Sequence, residues 1–141
     1  MTGLDAFDTT VQKADTWLSR IREELGWESR QRAYHALRAV LHALRDRLTI
    51  EETADVSAQL PMLIRGVFYD GWRPSTVPQK YRTKEEFLHR IGRYFGPERE
   101  EEADPEEVAR VVLGVLAKNI TAGEVANIKN MLPAEIRELW P

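Results

Sequence analysis

Apolar residues recur at steps of three and four along most of the chain, and no stretch keeps the two-residue alternation of a strand. Leu4, Phe7, Val11, Ala14, Trp17, Leu18, Ile21 and Leu25 form one such stripe and predict a first helix. Thr9 with Gln12 is its expected capping box, and Gly26 suits the left-handed position just past its end. Tyr34, Leu37, Val40, Leu41, Leu44 and Leu48 predict a second helix from about Ser29. Thr49 with Glu52 then caps a third. Pro61 lacks an amide hydrogen, so it is expected to open a short fourth helix, Pro61–Phe68, with Ile64 and Phe68 on its inner face.

The same pattern then returns. At an offset of 72, Arg38–Phe68 lies on Arg110–Trp140 without a gap, with 11 identities in 31 positions. Thr49/Glu52 recurs as Thr121/Glu124, Leu60-Pro61 as Leu132-Pro133, and Arg65 as Arg137. Upstream, Trp17, Leu18, Arg20 and Ile21 match Phe87, Leu88, Arg90 and Ile91 at an offset of 70. Thr83 with Glu86 restarts the helical pattern. Asp104-Pro105-Glu106-Glu107 caps the helix after it, and Pro133–Leu139 is read as the last short helix. The charge run Glu98–Glu102 falls at the junction where the second copy is longer, and reads as solvated surface.

The expected fold is therefore all-α with no sheet. It is a compact helical bundle of two tandem pseudo-symmetric repeats, about 9–69 and 83–140, within a single domain, 1–141. A Gly/Pro/aromatic loop, about 70–82, joins them. Two apolar faces closing on each other would bury what neither unit of about 50 residues buries well alone. Arg65 and Arg137 are expected to meet a carboxylate of a neighbouring helix or terminal carbonyls.

Composition narrows the function classes. The absence of Cys removes disulfides, thiolate metal sites and cysteine nucleophiles. No signal-peptide pattern and no apolar run of roughly 20 residues are found, so a cytoplasmic, membrane-free protein is expected. Net charge is −3, with 15 Lys+Arg against 13 Asp+Glu in residues 1–96 and 5 against 10 in residues 97–141. That balance does not suit a nucleic-acid binder. Serines, paired carboxylates and glycines show no nucleophile elbow, acid/base dyad or phosphate loop. No catalytic residue, cofactor or metal site is predicted.

Two candidate sites remain. In the joining loop, Tyr69, Trp72 and Tyr81 cluster with Arg73 and Arg82, beside Phe68 and Lys80. Aromatics beside Arg are enriched in binding hot spots, so this is the leading candidate for a protein partner or for self-association. Base stacking on single strands is the other use of such residues, and the lack of a wider basic surface argues against it. The plainer reading has Trp72 and Tyr81 folded back as a lid over the junction. The alternative site is His35, Arg38, His42 and Arg45, which share one stripe of the second helix. It would make an anion or small-molecule site between the repeats. Its plainer reading is a solvent-facing polar stripe with His42 paired to Asp46.

The run Arg32–Leu48, then Gln59-Leu60-Pro61 and Tyr69-Asp70-Gly71-Trp72, resembles domain of unknown function 2267 (DUF2267). The similarity also takes in Phe7–Trp27, Lys80–Leu88 and Leu132–Trp140. It implies a compact bacterial helical protein, and it carries over no activity, substrate, cofactor or site residue. The function expected from residues and resemblance together is a non-catalytic interaction or scaffold domain. A sensing domain is the alternative, and an uncharacterised enzyme a more distant one.

Overall fold

The structure, a computed structural model, describes residues 1–93 and 103–141. Glu98–Glu102 thus lies outside the described residues. Those described form eight α-helices and no strand: α1 (Asp5–Leu25), α2 (Arg30–Arg47), α3 (Ile50–Ser57), α4 (Met62–Tyr69), α5 (Lys84–Gly92), α6 (Pro105–Asn119), α7 (Ala122–Met131) and α8 (Ala134–Arg137).

Local chemistry explains the boundaries. Ser29, Thr49, Thr83, Asp104 and Thr121 each accept a backbone N–H of the helix they precede. The reciprocal half of the capping box forms at Thr83–Glu86. Gly26 ends α1 at φ 70°, where a β-carbon would be strained. At the start of α1 the expectation fails. The helix begins at Asp5, not Thr9, and Leu4 stands at the cap with no side-chain bond. Thr2 instead ties the preceding turn to Asp8 through two bonds of 2.8 and 2.9 Å. Pro61 and Pro133 sit at the N-caps of α4 and α8, one place before the predicted helical position, with nearly identical backbone angles.

Several contacts recur at positions matched by the internal sequence repeat. Arg65 donates to Ser57 O and Leu60 O at 2.8 and 2.9 Å. Arg137 donates to Lys129 O and Leu132 O at the same two distances. Of the two expectations for these arginines, the carbonyls win. Each guanidinium satisfies the orphan end of the helix before its proline. The α1 helix packs on α2, α4 and α6, whereas α5 packs on α6, α8 and α2; α2 and α6 also pack on each other. Thr121 N donates to Gln59 Oε1 at 2.7 Å, joining the break after α3 to the start of α7.

One apolar cluster runs through the molecule. Trp17 and Ile21 of α1 meet Leu37, Leu41 and Leu44 of α2, Phe87 and Ile91 of α5, and Val112, Leu113 and Leu116 of α6. Ile64, Phe68, Ile128, Ile136 and Trp140 close its edges. The stripe predicted for the first helix is buried only from Ala14 onward, since Leu4 and Phe7 face outward. No helix among the described residues is long and apolar enough to cross a membrane.

Candidate functional site

The polar stripe of α2 is covered. A helix leaves its last carbonyls without amide partners, and α4 is only eight residues long. His42 Nε2 lies 2.7 Å from Val67 O, and Arg45 Nη1 donates to Phe68 O and Asp70 O at 2.9 Å each. Arg45 Nε pairs with Asp46 at 2.8 Å, and Arg38 Nη2 with Asp70 at 2.7 Å. His42 and Arg45 are each only 4% exposed. The solvent-facing reading is thereby corrected for both, and the 2.7 Å partner of His42 Nε2 is Val67 O. The force behind the change is the demand of buried carbonyls for donors.

The His42 bond ends on a carbonyl, so Nε2 carries the proton. Burial lowers the pKa of His42 to about 4. The Val67 carbonyl opposes that shift, and Arg45 and Arg38 add to it. At neutral pH His42 contributes no charge. Hydrogen bonding to Arg38, then its charge, holds the Asp70 carboxyl below the usual range. His35 is half-buried, with its ring 5.6 Å from that of Tyr34.

The aromatic loop divides in two. Tyr69 and Trp72 stay together, rings 5.3 Å apart, across a tight turn with Gly71 at φ 74°. The Tyr69 hydroxyl shares a 2.8 Å hydrogen bond with Ser57. Tyr81 leaves the cluster and is 7% exposed. Its hydroxyl donates to Ala43 O, its ring lies 6.0 Å from Phe87, and the Arg90 guanidinium stands 5.2 Å above it. Arg47 Nε holds Tyr81 O at 2.9 Å, and Gln79 N reaches Asp46 O at 2.7 Å. Tyr81 is thus a wedge between α2 and α5, and the surface reading of that residue is corrected. A phenol ring with a partner for its hydroxyl is worth more inside than out. Burial raises its pKa. Arg73 and Arg82 remain exposed at opposite ends of the loop.

A surface that the periodicity did not single out lies at α1 and α4. Thr10 Oγ1 accepts Leu63 N at 2.8 Å, which supplies the side-chain cap Pro61 cannot give. On the two helices this bond joins, Phe7, and Leu4 at the cap of α1, are 50% exposed, Met62 57% and Leu63 44%. The single charge of α4, Arg65, is turned onto Ser57 O and Leu60 O. At the offset of 72, Ala134, Glu135 and Glu138 stand where α4 has Met62, Leu63 and Gly66. Between them Ile136 is buried as Ile64 is. The inner face is kept while the outer face changes from apolar to acidic.

A cavity of about 360 Å³ opens beside the covered stripe, lined by His42 and Ala43 of α2 with Arg90 and Arg93 of α5. Sequence reasoning missed both arginines. Arg90 matches Arg20 in the repeat and so reads as scaffold, and Arg93 gives no signal of its own. Among the described residues no group of three or more metal-ligating side chains converges.

None of the curated proteins compared with the chain matches it. Residues 14–139 match the profile of the family described as uncharacterized conserved protein, DUF2267. This span runs from the buried part of α1 past the end of α8, and so includes the α2–α4 clasp, the Tyr81 wedge and the matched arginines. The chain belongs to the DUF2267 family.

Proposed function

We propose that this protein is a non-catalytic interaction domain that docks an apolar protein surface through the outer face of α1 and α4. The occupant is a second copy of the chain. The observation that supports this reading is the difference between α4 and α8. Two segments with the same proline cap, the same arginine contacts and the same buried isoleucine differ in their outward residues. Met62 and Leu63 are therefore not demanded by the scaffold, which accepts Ala134 and Glu135 at the matching places. Adjoining exposed apolar side chains on two packed helices are what association sites present. Tyr69 and Trp72, with Arg73, extend the face at the far end of α4 and are proposed as its aromatic border.

The proposal includes an architecture: one domain, residues 1–141, with units about 9–69 and 83–140 joined through 70–82. The shared caps and the reciprocal packing of α1 on α6 and α5 on α2 support it. Light scattering across a concentration series tests the function. Self-association is expected at tens of micromolar, and Leu63→Glu, which copies the second unit, is expected to give a monomer with unchanged melting temperature. A wild-type monomer at millimolar concentration would remove the second copy as occupant. Cross-linking from position 63 in the native host would then have to capture a partner for the reading to stand.

A further inference from the structure

We propose that the cavity between α2 and α5 binds a small phosphate-bearing anion, gripped by the guanidinium groups of Arg90 and Arg93. The site is distinct from the α1–α4 face and does not depend on it.

The charge balance comes first. Among the described residues Asp46 is the carboxylate at this junction, and both of its oxygens are occupied, Oδ1 by Arg45 and Oδ2 by Arg90, at 2.8 and 2.9 Å. Arg93 is exposed and has no ion-pair partner among the described residues. Among the described residues, Arg45, Arg90 and Arg93 set against Asp46 leave a local surplus of two positive charges, in a chain whose net charge is −3. The C-terminal end of α5 offsets about half a charge of that surplus, so more than one remains. Arg38, nearby on α2, is balanced by Asp70 and adds nothing.

Geometry comes second. Arg90 and Arg93 are three apart at the end of α5, so they project from one side of it. Arg90 is fixed twice, by its bond to Asp46 and by its place above the Tyr81 ring. One of its five N–H groups is spent on Asp46, and the others are left for a ligand. A guanidinium already held in place loses little freedom on binding, which favours affinity. Arg93 supplies the adaptable half of the grip. Opposite them, among the described residues, stand Ala43 and His42, and His42 is uncharged at neutral pH because burial, with Arg45 and Arg38 nearby, disfavours the imidazolium.

The ligand class follows from both. A surplus near two suits a phosphate dianion better than a single carboxylate, and planar guanidinium forks match phosphate oxygens in pairs. A volume of about 360 Å³ lies at the lower end of ligand pockets, which run from roughly 300 to 1,000 Å³. The cavity has room for a phosphorylated metabolite of modest size.

Calorimetric titration with pyrophosphate, inorganic phosphate and citrate, at constant ionic strength with sulfate and chloride as controls, tests the proposal. Saturable binding of pyrophosphate below about 1 mM is expected, with citrate weaker, together with a rise in melting temperature. Arg93→Gln should weaken binding at least tenfold and leave the melting temperature of the ligand-free protein unchanged, since the exposed Arg93 makes no hydrogen bond or ion pair among the described residues. Absence of saturable heat up to about 10 mM pyrophosphate overturns the proposal. So does an Arg93→Gln protein that binds as the wild type does, or an equal thermal shift with chloride and pyrophosphate.

Discussion

Arg45 and His42 show how single side chains decide what a helix face becomes. Both look like surface residues in the sequence, where each lies next to the apolar stripe. Both are drawn inside because α4 ends against α2 with carbonyls that need donors. Burial then has a consequence for His42. Its pKa of about 4 lies below the value of about 6.5 expected in an unfolded chain. The unfolded state therefore binds the extra proton first as pH falls. Stability from this group is fully present above pH 6.5 and is lost as pH drops toward 4, by up to about 3 kcal/mol. Urea unfolding across pH 4–7 should show that slope. His42→Gln, whose amide can still donate to Val67 O, should lack it. The burial is not legible in the sequence, because the covering segment is distant along the chain and reaches α2 through backbone atoms, which carry no sequence label.

Elements are easier to read than side chains. Helix starts follow from Ser29, Thr49, Thr83, Asp104 and Thr121, whose side-chain oxygens act on amides two or three residues on. The start that lies furthest from its expected place, α1, depends on Thr2 reaching Asp8 and not on the Thr9–Gln12 pair. The cap of α4 is hidden for the same kind of reason. Thr10, from the first turns of α1, accepts the amide of Leu63. Thr10→Val keeps the shape and removes the acceptor, and it should cost about 1 kcal/mol in urea unfolding. Arg65→Ala and Arg137→Ala should each cost more, about 1–3 kcal/mol, because two carbonyls lose their donor at once. Similar losses at both positions are the expected outcome. A large loss at one and none at the other would contradict the proposed equivalence of the units.

At the scale of the molecule, the helical class is legible from the spacing of apolar residues by threes and fours, and the helix order from the internal match. What that match could not give was the way outward faces diverge, because surface residues are not constrained by packing. The α2–α5 cavity was equally hidden, since its walls come from two helices well separated in the chain, His42 and Ala43 on one, Arg90 and Arg93 on the other. The long helices interlock: α1 lies on α6, and α5 lies on α2. Leu113→Ala, at the fully buried middle of α6, should cost about 2–5 kcal/mol. Hydrogen exchange should then accelerate together at the core amides of α2 and α6. Two separate thermal transitions, one for each half, would argue against a single domain.

The Tyr81 wedge has a spectroscopic consequence. Its phenol is shut between helices, with its hydroxyl donating to the Ala43 carbonyl, and burial raises the pH at which it ionises while the junction is closed. The folded state keeps that proton above pH 10, where an unfolded chain sheds it, and stability falls as alkalinity rises. In a rapid alkaline jump, one equivalent of phenolate absorbance should therefore lag behind the rest and arrive with the loss of ellipticity. That delayed step would time the parting of α2 from α5 with no label added.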